Sequence, residues 1–238
     1  MVEREPEPGE ACGAMSADYA ALAPDARAVL DCWFGEPGSP AFGQERKLWF
    51  ARDKAFDAML RERFGELIDA ANGVESAVDG AVESAAANTV ANAATNDATP
   101  DRWQATPLGA LALIIVLDQF SRNCHRNTPR AFAADHKALE VAQRLIASGG
   151  DRLLPGAHHR AFAYLPFEHD ETPASQRESL RLFKQLEAEP GGKSYYRFAE
   201  RHAAIIERFG RFPHRNAVLG RASTAEEIAF LSKRGSSF

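Results

Sequence analysis

Three clusters of polar side chains carry whatever chemistry this sequence can perform. The first is Asp118, Gln119, Arg122, Asn123 and Arg126. Asp118, Arg122 and Arg126 recur every four residues, so on a helix they share one face. That spacing suits an ion-pair ladder, or a guanidinium pair presented to an anionic ligand. The second is Glu168, His169, Asp170 and Glu171, where carboxylates flank an imidazole that could exchange protons. Such a group could also bind a metal, but the spacing matches no standard metal motif, so no metal ligand is assigned and the alternative is a solvated helix-end or turn cluster. The third is Arg211, His214, Arg215 and Asn216, with Arg221 nearby. From Arg197 to Arg221 there are six arginines against two carboxylates, Glu200 and Glu207, in a chain of net charge −5. Planar guanidinium forks fit carboxylate or phosphate. Alternatively, these arginines pair with the acids of the other clusters and pin a loop to the helices.

The motifs that are missing narrow the reading. There is no GxGxxG, GxSxG or HExxH. Gly191-Gly192-Lys193-Ser194 resembles the end of a phosphate-binding loop, but Glu187 stands where its first glycine belongs. Cys12, Cys32 and Cys124 are odd in number and far apart, which indicates neither a disulfide framework nor a zinc site. The opening MVEREPEPGE is acidic and lacks the apolar stretch of a signal peptide, so the cytoplasm is the expected location. The apolar run Leu108–Leu117 ends at Asp118, short of the roughly twenty residues of a membrane span. The acidic balance disfavours nucleic acid as a partner. Tyr195, Tyr196, Phe198, Phe209 and Phe212 could stack bases, but their spacing is that of a buried helix face.

The elements that must position these residues read as helices. Pro24 opens one that stops at Gly35, and another starts near Asp53 and runs through Phe56, Leu60, Phe64, Leu67 and Ala71. Thr106-Pro107, Thr128-Pro129 and Thr172-Pro173 each pair an N-cap with proline at the first helical position. The second of these is expected to run to Ser148. Ser194 is expected to cap a helix to Phe209, and Ser223 with Glu226 to form a capping box. Helix LGALALIIVLDQFSRN is too apolar for a surface position and belongs at the centre. No alternating strand pattern is present. The expectation is an all-α fold of stacked antiparallel helix pairs. Residues 1–15 read as a disordered tail and 16–238 as a single helical domain, with the Ala/Asn/Thr-rich stretch 74–100 as a flexible inserted loop.

DQFSRN at 118–123, YLPFEHDE at 164–171 and ERFGRFPHRNAVLGRASTAEEIAFL at 207–231 resemble the bacterial domain-of-unknown-function family 924. VLDCWFGE at 29–36 and LWFARDKAFD at 48–57 extend the likeness. The resemblance implies an irregular helical bundle similar to tetratricopeptide-repeat domains. It also implies that Asp118, Gln119, Arg122, Asn123 and Arg126 share a cleft with Glu168 and His169, closed by Arg211, His214, Arg215 and Asn216. Ser121 departs from the family's usual proline, and the 74–100 stretch is longer than usual. The family carries no assigned activity, so two readings stay open. One is a module binding an anionic small ligand or acidic peptide through Arg122, Arg126, Arg211 and Arg215. The other is an enzyme, such as a hydrolase, using His169, His214 or Glu168 as acid or base; no cofactor is indicated for either.

Overall fold

The computed structural model describes residues 18–73 and 99–236. The expected N-terminal tail and nearly all of the 74–100 insert lie outside them. Among the described residues the chain is all-helical and contains no strand.

Helix α1 (Pro24–Phe34) starts on proline and ends at Gly35, whose φ of +87° lies in the left-handed region that glycine enters without penalty. Asp53 caps α2 (Lys54–Ala71), its carboxylate accepting from the N–H groups of Ala55 (2.8 Å) and Phe56 (3.2 Å). The buried face of α2 is Leu60, Phe64, Ile68 and Ala71, while Phe56 and Leu67 are only partly covered.

At the centre lies α3 (Pro107–Ile114), in which every residue from Leu108 to Ile114 is buried. Thr106 accepts from the Gly109 N–H at 3.2 Å, and losing such a cap costs about 1 kcal/mol. Gly109 is required by packing: a Cβ there would fall 2.0 Å from the Trp103 carbonyl oxygen, in the 3₁₀ turn Pro100–Ala105. The helix continues as a π-helical stretch, Ile115–Phe120, and resumes as α4 (Ser121–Cys124). Trp33 packs edge-on against Phe120 (5.7 Å) and Phe162 (5.4 Å), joining α1 to this central helix. None of the described helices is long and apolar enough to cross a membrane.

Three sequence expectations need correction. The segment after Thr128-Pro129 is not one helix: a 3₁₀ turn, Pro129–Phe132, precedes α5 (Asp135–Ala147). The break sets Asp135 in the first turn of α5, where a carboxylate is favoured by the helix dipole. Helices α6 (Ala157–His169) and α7 (Pro173–Leu186) follow; Thr172 caps the latter as expected. Helix α8 (Lys193–Phe209) starts without a side-chain cap, after a turn in which Gly191 has φ +80°, so Ser194 is not its N-cap. The capping box of α9 (Ala225–Leu231) is formed by Thr224 and Glu227, one residue later than Ser223 and Glu226. Both pairs fit the pattern. The register is settled by Glu227, whose carboxylate also receives the Arg211 fork.

Consecutive helices α6, α7 and α8 pack on one another through short turns, and α6 also lies on α3 and α5. This packing carries the C-terminal end of α6 to the π-helical stretch. A smaller apolar cluster of Ile205, Ile206 and Phe212 covers that end.

Candidate functional site

Asp118 is fully buried in the π-helical stretch, a distortion that often marks functional positions. Its Oδ2 accepts from Gln119 Nε2 at 2.6 Å, and its Oδ1 stands 2.8 Å from both Arg122 Nη1 and His169 Nδ1. Burial opposes ionisation, yet Arg122 and His169 hold the carboxyl well below the usual carboxylate range. His169 closes α6. Its burial outweighs the Asp118 charge and pulls the imidazole below its ordinary value. With Nδ1 on the carboxylate, Nε2 is left as the basic nitrogen.

Arg122 turns its other Nη to Asp135 Oδ2 at 2.9 Å, and Arg215 Nη1 reaches the same oxygen at 3.3 Å. The Arg215 guanidinium lies 4.7 Å from the ring centres of both Phe132 and Phe212. Burial, with Arg122 beside it, pulls Arg215 down to about 10, still charged at neutral pH. Arg215 Nε and Asp135 Oδ1 are buried and meet no hydrogen-bonding partner. Such atoms are rare in folded proteins and ask for a reason.

Behind this pair, His202 of α8 brings Nδ1 to 3.0 Å from Glu168 Oε1 and 2.9 Å from the Phe198 carbonyl. Glu168 Oε2 is buried and unmatched. The His169 and His202 rings are 6.3 Å apart. His214 packs beside Phe212, and burial followed by the Arg215 charge pushes its imidazole down to about 4.

The structure thus gathers Asp118, Gln119, Arg122, Glu168, His169, His214 and Arg215. The other sequence candidates lie elsewhere. Arg126 does not continue the Asp118–Arg122 face, because the helix ends at Cys124 and the chain turns at Asn127 (φ +61°). Arg126 instead grips Asp57 of α2 through Nε (2.7 Å) and Nη2 (3.1 Å), and Asn123 donates to the same carboxylate at 3.0 Å. Arg211 forks onto Glu227, and Asn216 is buried between Arg221 and Ser223. Asp170 accepts from the Thr172 hydroxyl at 2.5 Å, beside the cap of α7. Glu171 takes the Arg221 fork and the Phe212 N–H.

Asp135, Phe132 and His202 belong to the cluster, and the sequence reading passed over them. Asp135 is a first-turn acid only because the helix breaks after Phe132, which the sequence reading ran through. His202 carries no local signal, since α8 reaches Glu168 only by folding. Burial pushes the Cys124 thiol up to about 11, which disfavours the thiolate a nucleophile needs. Among the described residues no three His, Cys, Asp or Glu side chains are grouped to hold a metal ion. The cluster is shallow: Arg122, Asp135 and His169 expose 18%, 19% and 15% of their side chains. Two surface depressions, of about 570 and 370 Å³, are lined by other residues.

The fold and cluster define an all-helical protein with a half-buried arginine–carboxylate–imidazole network. The family model described as a bacterial protein of unknown function, DUF924, matches residues 29–235, and the chain belongs to that family. It is also similar to the solved structure of a protein of unknown function, ATU0120 from Agrobacterium tumefaciens. The two share 33% identity over 87% of this chain and 96% of that one, with a TM-score of 0.65. No curated protein matches.

Proposed function

We propose that the chain binds a small ligand bearing a carboxylate or phosphate group, held between Arg122 and Arg215. One observation carries this reading: two guanidiniums share a single oxygen of Asp135 while Arg215 Nε stays unmatched. A guanidinium offers five N–H donors in a fixed fork; Arg122 also has Asp118, whereas the Asp135 oxygen at 3.3 Å is shared and does not use the Arg215 fork. The phenyl rings on either side of Arg215 hold it in place before any ligand arrives, which reduces the ordering cost of binding. Calorimetric titration of the whole protein with mono- and dicarboxylates and phosphomonoesters tests it. Saturable, salt-sensitive binding that weakens at least about tenfold in Arg215→Lys, the loss of one charge-assisted contact, is the expected result. No binding tighter than about millimolar across the panel, or unchanged binding in Arg215→Lys and Arg122→Gln, overturns it.

A second reading, acid–base catalysis, is favoured by the Asp118–His169 pair. A carboxylate on Nδ1 fixes the imidazole tautomer and leaves Nε2 to take a proton. Arginine in the same cluster could stabilise a developing oxyanion. Hydrolase and phosphatase panels compared with His169→Ala test it; turnover no greater than in that variant rejects it.

A further inference from the structure

Two carboxylates, Asp118 and Asp135, face the guanidiniums of Arg122 and Arg215, and they are held very differently. Asp118 is fully buried and engaged on both oxygens, by Gln119 on one and by Arg122 and His169 on the other. Asp135 is partly exposed and engages the guanidiniums through Oδ2 alone, at 2.9 Å from Arg122 and 3.3 Å from Arg215. It is carried on a lightly anchored segment, 129–135, whose only fully buried residues are the small Ala131 and Ala134. The turn is closed by the Ala131 N–H on the Thr128 carbonyl (3.1 Å) and the Ala133 N–H on the Arg130 carbonyl (3.4 Å). Arg130 pairs with Asp69 of α2 at the surface. The same segment sets the Phe132 ring 4.7 Å from the Arg215 guanidinium and 5.6 Å from that of Arg122. One short stretch of chain therefore covers part of both arginines with a ring and neutralises them with a carboxylate.

Resting on the anion-binding reading above, we propose that Asp135 is an internal competitor. Its carboxylate holds the place on Arg122 and Arg215 that the ligand's anionic group takes, and segment 129–135 moves aside as the ligand enters. Charge balance requires the exchange. Two guanidiniums already face two carboxylates, so an added anion would leave one negative charge uncompensated in a half-buried cluster, which is costly. Asp118 cannot leave, because three side chains fix it away from solvent. Asp135 can. A released carboxylate there gains water and stays in the first turn of α5, where the helix dipole favours it. The move gives up little apolar burial, since Ala131 and Ala134 are small. The single oxygen bridging two guanidiniums is the contact that a ligand carboxylate or phosphate reproduces, with further oxygens left for the rest of each fork.

Nuclear magnetic resonance titration of the whole protein with acetate and with inorganic phosphate, against chloride at matched ionic strength, tests the proposal. Asp135→Asn keeps the shape of the side chain and removes the competing charge. Binding of whichever anion saturates the wild type is expected to tighten about tenfold in that variant, as for one charge-assisted contact no longer displaced. Asp135→Glu keeps the charge and is not expected to tighten binding. Glu226→Gln removes one exposed negative charge from the Arg208 pair and leaves affinity unchanged, which separates competition from a general change in net charge. In the wild type, the side-chain carboxyl carbon of Asp135 is expected to move at saturation towards the resonance of a free carboxylate, while that of Asp118 stays. This last measurement needs no variant to fold. Saturation of the wild type with affinity equal or weaker in Asp135→Asn, or with an unmoved Asp135 carbon, overturns the competition and leaves the anion reading standing. No saturation by either anion, in wild type and Asp135→Asn alike, overturns the anion reading itself and the competition with it.

Discussion

Arg221 and Arg215 are close in sequence and sit in the same loop, yet their surroundings differ. Arg221 is fully engaged: its Nη atoms fork onto Glu171 at 2.6 and 3.0 Å, Nη2 also reaches the Phe212 carbonyl, and Nε donates to Asn216. Arg211 on Glu227 and Arg126 on Asp57 are bidentate in the same way. Arg215 makes a long contact to an oxygen already held by Arg122, and its Nε has no partner. The first group behaves as architecture, joining loop to helix and helix to helix. The second is a buried cation whose donors exceed its acceptors. Residue type and sequence spacing do not separate the two; the acceptor opposite each fork does.

The largest effect expected from this contrast is on the pins. Glu171→Ala strands the Arg221 guanidinium and the Phe212 N–H together. A partly exposed pair of this kind is worth about 2–3 kcal/mol, a fall in Tm of roughly 4–12 °C for a chain of this size. Thermal unfolding measures it. A drop under about 2 °C would mean that the Glu171 fork is not a pin, because one kcal/mol alone moves Tm by that much.

Acid separates the two regions next. His214, beside Arg215, is held near 4 in the native state, while an unfolded histidine titrates near 6.5. The depressed value means that, as pH falls from about 6.5 to 4, the unfolded chain takes up a proton that the native protein refuses. Stability contributed by the neutral imidazole is therefore present above that window and lost through it. For a partly exposed group the loss is about 1–2 kcal/mol after allowing for solvent screening. The Glu171 carboxyl is held low by Arg221 against its burial, so its contribution is present above an unfolded value of about 4.3. That contribution is lost only below it, as pH falls through the native value. Denaturant unfolding of wild type and His214→Asn at pH 7 and pH 4.5 should show a shallower pH dependence in the variant. Parallel curves would refute the assignment.

What the sequence revealed follows from the range of each interaction. Thr106 and Thr172 were legible as caps because each closes a hydrogen bond within three residues. The buried run Leu108–Leu117 was legible because no exposed helix carries such a face. The π-helical stretch around Asp118 was not, since the same residues satisfy an ordinary helical period. The division of arginines into pins and spare donors was also hidden. It depends on Asp57, Asp135, Glu171 and Glu227, which lie on different elements and meet their partners across 13 to 80 residues of chain.

The smallest change expected in stability discriminates most sharply. Arg215→Met keeps an unbranched chain between Phe132 and Phe212 but removes a buried charge with few partners. Removing one partner of a buried pair is ordinarily destabilising, but Asp135 keeps Arg122, so a change within about 1 kcal/mol of neutral is expected. Arg221→Met, by contrast, abandons the Glu171 carboxylate and the Asn216 carbonyl and should lower Tm by several degrees. In Arg215→Met the His214 imidazole should also rise from about 4 towards its ordinary value, since the Arg215 charge is the second cause of its depression after burial. Nuclear magnetic resonance titration of the His214 ring reads that shift independently of stability. If Arg215→Met melts as far below wild type as Arg221→Met, Arg215 is another pin and the anion reading loses its central residue. If it melts at or above wild type while His214 moves upward, the charge is kept at a cost that the fold does not need. Ligand binding then becomes the reason to retain it.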